Sequence, residues 1–156
     1  MRKIRSASFL VLALIMLSFM AQGCGNKEGE INMDNLKGTW KLVGFKSERK
    51  PDQKMPDCAK QITIEFTDTK VGAVSGEDSY KLHFRRGTNP CPDKVKQFME
   101  DYETEWVAQP SAKRLFIQRF TTPMEHFSGS FKVPELTKDK LVLEILKHTF
   151  TFKKVK

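Results

Sequence analysis

The chain is short of the residues that most often carry catalysis. It has three histidines and three cysteines in 156 residues. His83, His126 and His148 lie far apart, so a metal would need the fold to gather them, with Glu125 beside His126 as a further ligand; exposed or singly hydrogen-bonded histidines are the simpler expectation. No Gly-x-Ser-x-Gly elbow and no phosphate-cradling glycine loop occur, so the usual hydrolase and nucleotide-binding signatures are missing. Asp101, Glu103 and Glu105 would share one side of a strand, an arrangement open to acid-base chemistry but explained more simply by charges facing solvent. No catalytic residue, metal or cofactor is therefore expected. Basic residues are scattered among acids, and the densest cluster is Lys153-Lys154-Val155-Lys156. The basic stripe with exposed aromatics that nucleic acid requires is lacking, and no nucleic-acid partner is expected.

The N-terminus carries the strongest signal. Met1-Arg2-Lys3-Ile4-Arg5 is a positive region, residues 9–20 are apolar apart from Ser18, and Ala21-Gln22-Gly23 places small residues before Cys24. An apolar run of about a dozen residues reaches only roughly 18 Å as a helix, too short for a bilayer core of about 30 Å, so it reads as an export signal. This arrangement resembles a bacterial lipoprotein signal, with Ala21 where the pattern carries a larger aliphatic residue. The resemblance implies cleavage after residue 23, acylation of Cys24 and a membrane partner reached through the lipid anchor; ordinary secretory cleavage with a free Cys24 is the alternative. Glu28 and Glu30 resemble the acidic signal that Bacteroidota-type lipoproteins use for surface display. The expected location is the cell envelope, anchored to the outer membrane, with the periplasmic and surface faces both open.

Removal of residues 1–23 takes away three basic residues and no acid, lowering the formal charge from +8 to +5. The remaining chain is one domain by length, large enough to bury roughly two thirds of its unfolded surface. Residues 24–35 are polar and without hydrophobic period, which reads as a flexible tether, with the folded domain at 36–156. Cys58 and Cys91 are an even pair in an exported domain and sit in loop-like, proline-flanked settings. A structural bridge is expected, with a metal or reactive thiol as the alternative.

Beyond Leu36 the dominant period is two. Ile62, Ile64 and Phe66 alternate with polar residues, as do Tyr80, Leu82 and Phe84; Leu141, Leu143 and Ile145 define a third such run. Further strands are expected at 40–45, 71–75, 102–108, 114–120, 127–133 and 149–155. Expected turns are Thr67-Asp68-Thr69, Gly76-Glu77-Asp78, Gln109-Pro110-Ser111 and Thr137-Lys138-Asp139-Lys140, and Ser128-Gly129-Ser130 reads as a bend or bulge. Val95, Phe98, Met99 and Tyr102 share one helical face, which predicts a short helix near residues 92–101. About eight or nine short strands hide their edges best by closing into an antiparallel up-and-down barrel, with a sandwich as the alternative.

The opening stretch Leu36-Lys37-Gly38-Thr39-Trp40-Lys41-Leu42-Val43 resembles the first strand of lipocalin-like (calycin) barrels, with their Gly-x-Trp signature. The stretch from Phe131 to Glu144, followed by Thr149-Phe150-Thr151-Phe152-Lys153-Lys154-Val155, is similar to the closing strands of bacterial lipocalin-like lipoproteins. The resemblance implies that Gly38 lets the chain bend into the first strand, that Trp40 plugs the closed end, and that Lys153 or Lys154 packs on the indole. It implies a binding role. Twelve phenylalanines would either line a pocket for a small apolar or amphipathic ligand or fill the barrel, leaving loops at 47–57 and 85–93 to contact an envelope protein, glycan or toxin.

Overall fold

The computed structural model describes residues 30–88, 91 and 100–156. Eight strands follow one another in chain order: β1 (Gly38–Ser47), β2 (Thr63–Val74), β3 (Glu77–Arg85), β4 (Tyr102–Gln109), β5 (Arg114–Thr121), β6 (His126–Leu136), β7 (Lys140–Ile145) and β8 (His148–Lys154). Each pairs antiparallel with the next, and β8 returns to β1, closing the barrel. This is the all-β, antiparallel up-and-down barrel that the period-two pattern points to. Closure gives every strand a neighbour on both sides, although β1 pairs with β2 only over residues 38–41 and β6 with β7 only from Lys132 onward.

Nine expected strands become eight because 62–66 and 71–75 are one continuous strand. Thr67-Asp68-Thr69 reads as a turn in sequence but bulges within β2, where the register steps from Phe66 opposite Leu82 to Lys70 opposite Tyr80. The Thr67 hydroxyl donates to the Lys81 carbonyl at 2.9 Å and accepts from the Thr69 amide at 3.2 Å, replacing lost ladder bonds. Side chains of the turn-forming type stabilise such a bulge as readily as they would a turn. The true reversal is the two-residue Ser75-Gly76 turn, both residues with positive φ. Further irregularities lie at Val43 in β1 and at Gln118-Arg119 in β5. The second puts two residues outward in succession and returns Phe120 to the interior.

The helix expected near residues 92–101 falls largely on residues outside those described; Glu100 and Asp101 precede β4 without helical structure. The short helix that is described, α1 (Met33–Leu36), lies instead across the boundary between the stretch read as tether and the domain. Asn32 caps it, accepting from the amides of Asp34 and Asn35. Ile31 is buried and donates its amide to the Pro110 carbonyl at 3.2 Å. Residues from Ile31 onward thus pack with the barrel, because a single buried aliphatic and a capped turn suffice to seat the segment against its closed end. Among the described residues no helix is long and apolar enough to cross a membrane.

Candidate functional site

The closed end is built on Trp40. Its ring is fully buried, and its Nε1 donates to the Leu36 carbonyl at 2.7 Å, tying the first strand to α1. Of the two lysines open to the role, Lys154 lies over the indole, with Nζ 4.9 Å from the ring centroid and donating to the Asn35 carbonyl at 2.8 Å. Lys153 points outward on the opposite face of β8. Gly38 has φ +104°, and a Cβ there would press on the Lys154 side chain at 3.3 Å. Glycine at this position therefore serves both the bend and the lysine's path.

At the open end, Cys58 and Cys91 are joined by a disulfide with a Cα separation of 5.3 Å. The bridge ties the 3-10 turn Asp57–Gln61 to the connection after β3. Gln61 reinforces it by accepting from the Thr88 amide at 3.0 Å. A second tie joins the β5–β6 turn to the loop after β1, where Lys50 pairs with Glu125 at 3.0 Å.

Between these ends the interior is occupied by aromatic rings. Phe120, on β5, has its ring centroid 5.1 Å from that of Phe150 and 6.3 Å from that of Phe152 on β8, 5.3 Å from Phe131 on β6 and 6.3 Å from Phe84 on β3. Strands from opposite sides of the barrel therefore meet through one side chain. Lower down, Trp106 contacts Phe66 and Tyr80 and donates Nε1 to the Lys81 carbonyl at 3.0 Å. Edge-to-face packing of this kind fills space at close to crystal density.

A groove with a volume of about 400 Å³ opens on the outside of the sheet. It exists because β7 ends at Ile145 and pairs with β6 only from Lys132 onward, so the upper half of β6 lacks a neighbour on that side. Arg114, Lys132 and Lys147 supply cations, Glu48 and Glu144 supply anions, and His148 forms part of the wall. His148 is 3% exposed, lies beside Phe45 and Phe127, and its Nδ1 has no hydrogen-bond partner among the described residues. Burial lowers its pKa; Glu125 opposes that shift, and Arg49 and Lys50 each add to it more weakly.

The other titratable residues singled out by sequence make local pairs with their neighbours. His126 Nδ1 is 2.7 Å from the Thr121 hydroxyl, and His83 lies 3.5 Å from Glu103. Lys81, hydrogen-bonded at 3.1 Å, holds the Glu103 carboxyl below its ordinary range, helped by His83 and Arg85. Asp101 accepts from the Arg86 amide at 2.9 Å. These carboxylates act as surface ion-pair and capping partners, and among the described residues no three His, Cys, Asp or Glu side chains converge as metal ligands would. Sequence reading did not find the groove, since the place where β7 stops pairing with β6 has no local signature. What the described residues offer chemically is hydrogen bonding and charge at the surface around an aromatic interior.

No known family pattern matches the chain, and no curated protein does. Among solved structures it is similar to a lipocalin-like protein from Bacteroides uniformis, with a TM-score of 0.45 and 13% identity, covering 78% of this chain and 99% of that one. It is also similar to an uncharacterized protein from Bacteroides eggerthii, with a TM-score of 0.42 and 15% identity, covering 77% and 99%.

Proposed function

We propose that this is an exported lipoprotein, acylated at Cys24, whose barrel serves as a solid recognition module in the cell envelope rather than as a container. The contact of Phe120 with rings from β3, β6 and β8 carries this reading. An internal apolar ligand would have to displace that cluster, whereas a partner protein or glycan needs only the outer surface. The disulfide-tied loops at the open end and the adjoining groove supply a rigid, mixed-charge surface suited to such a partner.

Two measurements test the halves separately. Intact mass of protein extracted from membranes should show a chain beginning at Cys24 and carrying acyl groups; an unmodified thiol there defeats the anchoring half. Titration with an apolar fluorescent probe should show no saturable binding to wild type, while Phe120→Ala opens a cavity and gains binding. Stoichiometric uptake of the probe by wild type defeats the solid-module half.

A further inference from the structure

Three lysines stand side by side on the outer face of the closed end. Lys140 on β7 lies directly opposite Lys153 on β8, and Lys153 lies directly opposite Lys41 on β1. All three alternate with interior residues: Leu141, Phe152, and the pair Trp40 and Leu42 are fully buried, so the lysines face outward together. Like charges directly opposite one another across strands work against the sheet. Glu135 offsets only one of them, pairing with Lys140 at 2.6 Å. Lys41 and Lys153 have no ion-pair or hydrogen-bond partner through their side chains among the described residues, although Glu65 and Asp139 lie on neighbouring segments. Beside the row two apolar side chains are left in solvent: Val43, which follows the buried Leu42 on β1 and is 39% exposed, and Val155, 45% exposed. A row that costs the fold stability, flanked by exposed valines, is what an anionic, partly apolar surface would compensate.

The position of the chain's exit selects that surface. Ile31 is fixed at the closed end through Pro110, and Asn35 through Lys154. Cys24 is seven residues before Ile31, a span of at most about 25 Å when extended. An acyl anchor at Cys24 would therefore hold the closed end close to the bilayer and leave the open end directed away from it. We propose that Lys41, Lys140 and Lys153 form the face on which the domain rests against anionic phospholipid headgroups, with Val43 and Val155 reaching the interfacial layer. This assignment rests on the lipid-anchor reading for its geometry, but its charge chemistry can be tested without the anchor.

The mature chain with Cys24→Ser, which cannot be acylated, is sedimented with vesicles of phosphatidylcholine alone and with phosphatidylglycerol added. Binding should require phosphatidylglycerol, fall at high salt, and weaken by about tenfold or more in the double variant Lys41→Glu with Lys153→Glu. The double change exchanges one like-charge contact between β1 and β8 for another and gives Lys140 an opposite charge across from it, so the variant should melt close to wild type, which separates lost binding from lost folding. Arg49→Glu with Lys54→Glu, at the open end, should bind as wild type does. Equal sedimentation with both vesicle types, undiminished binding by the closed-end variant, or a preference for an acidic polysaccharide over the anionic vesicles overturns the proposal. Failure to find acyl groups on Cys24 of the native protein overturns the anchoring reading and leaves this binding result to stand or fall by itself.

Discussion

Two adjacent lysines near the C-terminus have opposite roles, and side-chain parity alone separates them. Lys154 spans the indole of Trp40 and donates to the Asn35 carbonyl, joining β8, β1 and α1 in one contact. Lys153 faces solvent next to two other cations. Lys154→Met should therefore cost about 1–2 kcal/mol in urea denaturation, the sum expected of a cation over an indole and one hydrogen bond. Lys153→Met should change stability by less than about 0.5 kcal/mol or raise it slightly. Equal effects of the two substitutions would remove Lys154 from the plug. The Gly-x-Trp resemblance narrows the choice to this pair of residues, and only the pairing of β8 with β1 tells one from the other.

At the level of the element, the hairpins obey their sequence signals unevenly. The β7–β8 connection is a two-residue turn, Leu146-Lys147, with φ of 48° and 70°. Neither residue is suited to left-handed backbone, which favours glycine and asparagine. Replacing the pair, Leu146→Asn with Lys147→Gly, should raise the denaturation midpoint and add about 1 kcal/mol. A lower midpoint would mean that the exposed Leu146 side chain contributes packing that its 62% exposure does not suggest. This turn carries no recognisable turn residues, while Thr67-Asp68-Thr69 carries them and does not turn. Hydrogen-bonding side chains stabilise any local departure from the ladder; whether the chain then reverses depends on whether the partner strand continues, and β3 continues past that point.

For the whole molecule, the aromatic cluster and the disulfide divide the work of stabilisation. The bridge closes a loop with a sequence separation of 33, and removing it with Cys58→Ser and Cys91→Ser should cost about 3–4 kcal/mol on the chain-entropy account. The barrel should nevertheless stay folded at room temperature, since the Phe120 cluster lies elsewhere in the chain; loss of near-ultraviolet aromatic circular dichroism in that variant would show that the open-end tie is indispensable. Strand alternation, the length of the chain, the cysteine pair and the apolar N-terminal run could all be read from sequence, because each depends on local period or composition. The number of strands, the outward row of lysines and the side groove could not. All three follow from register, which is set by how eight strands share one closed circumference. The same holds for the interior. Abundant phenylalanine is compatible with a pocket or a solid core, and among the described residues the β5 bulge at Gln118 and Arg119 turns Phe120 inward to meet rings from across the barrel. Sequence by itself determined which residues face inward along most strands; only tertiary structure decided that those from opposite walls touch, because that depends on the width of the barrel and not on any one strand.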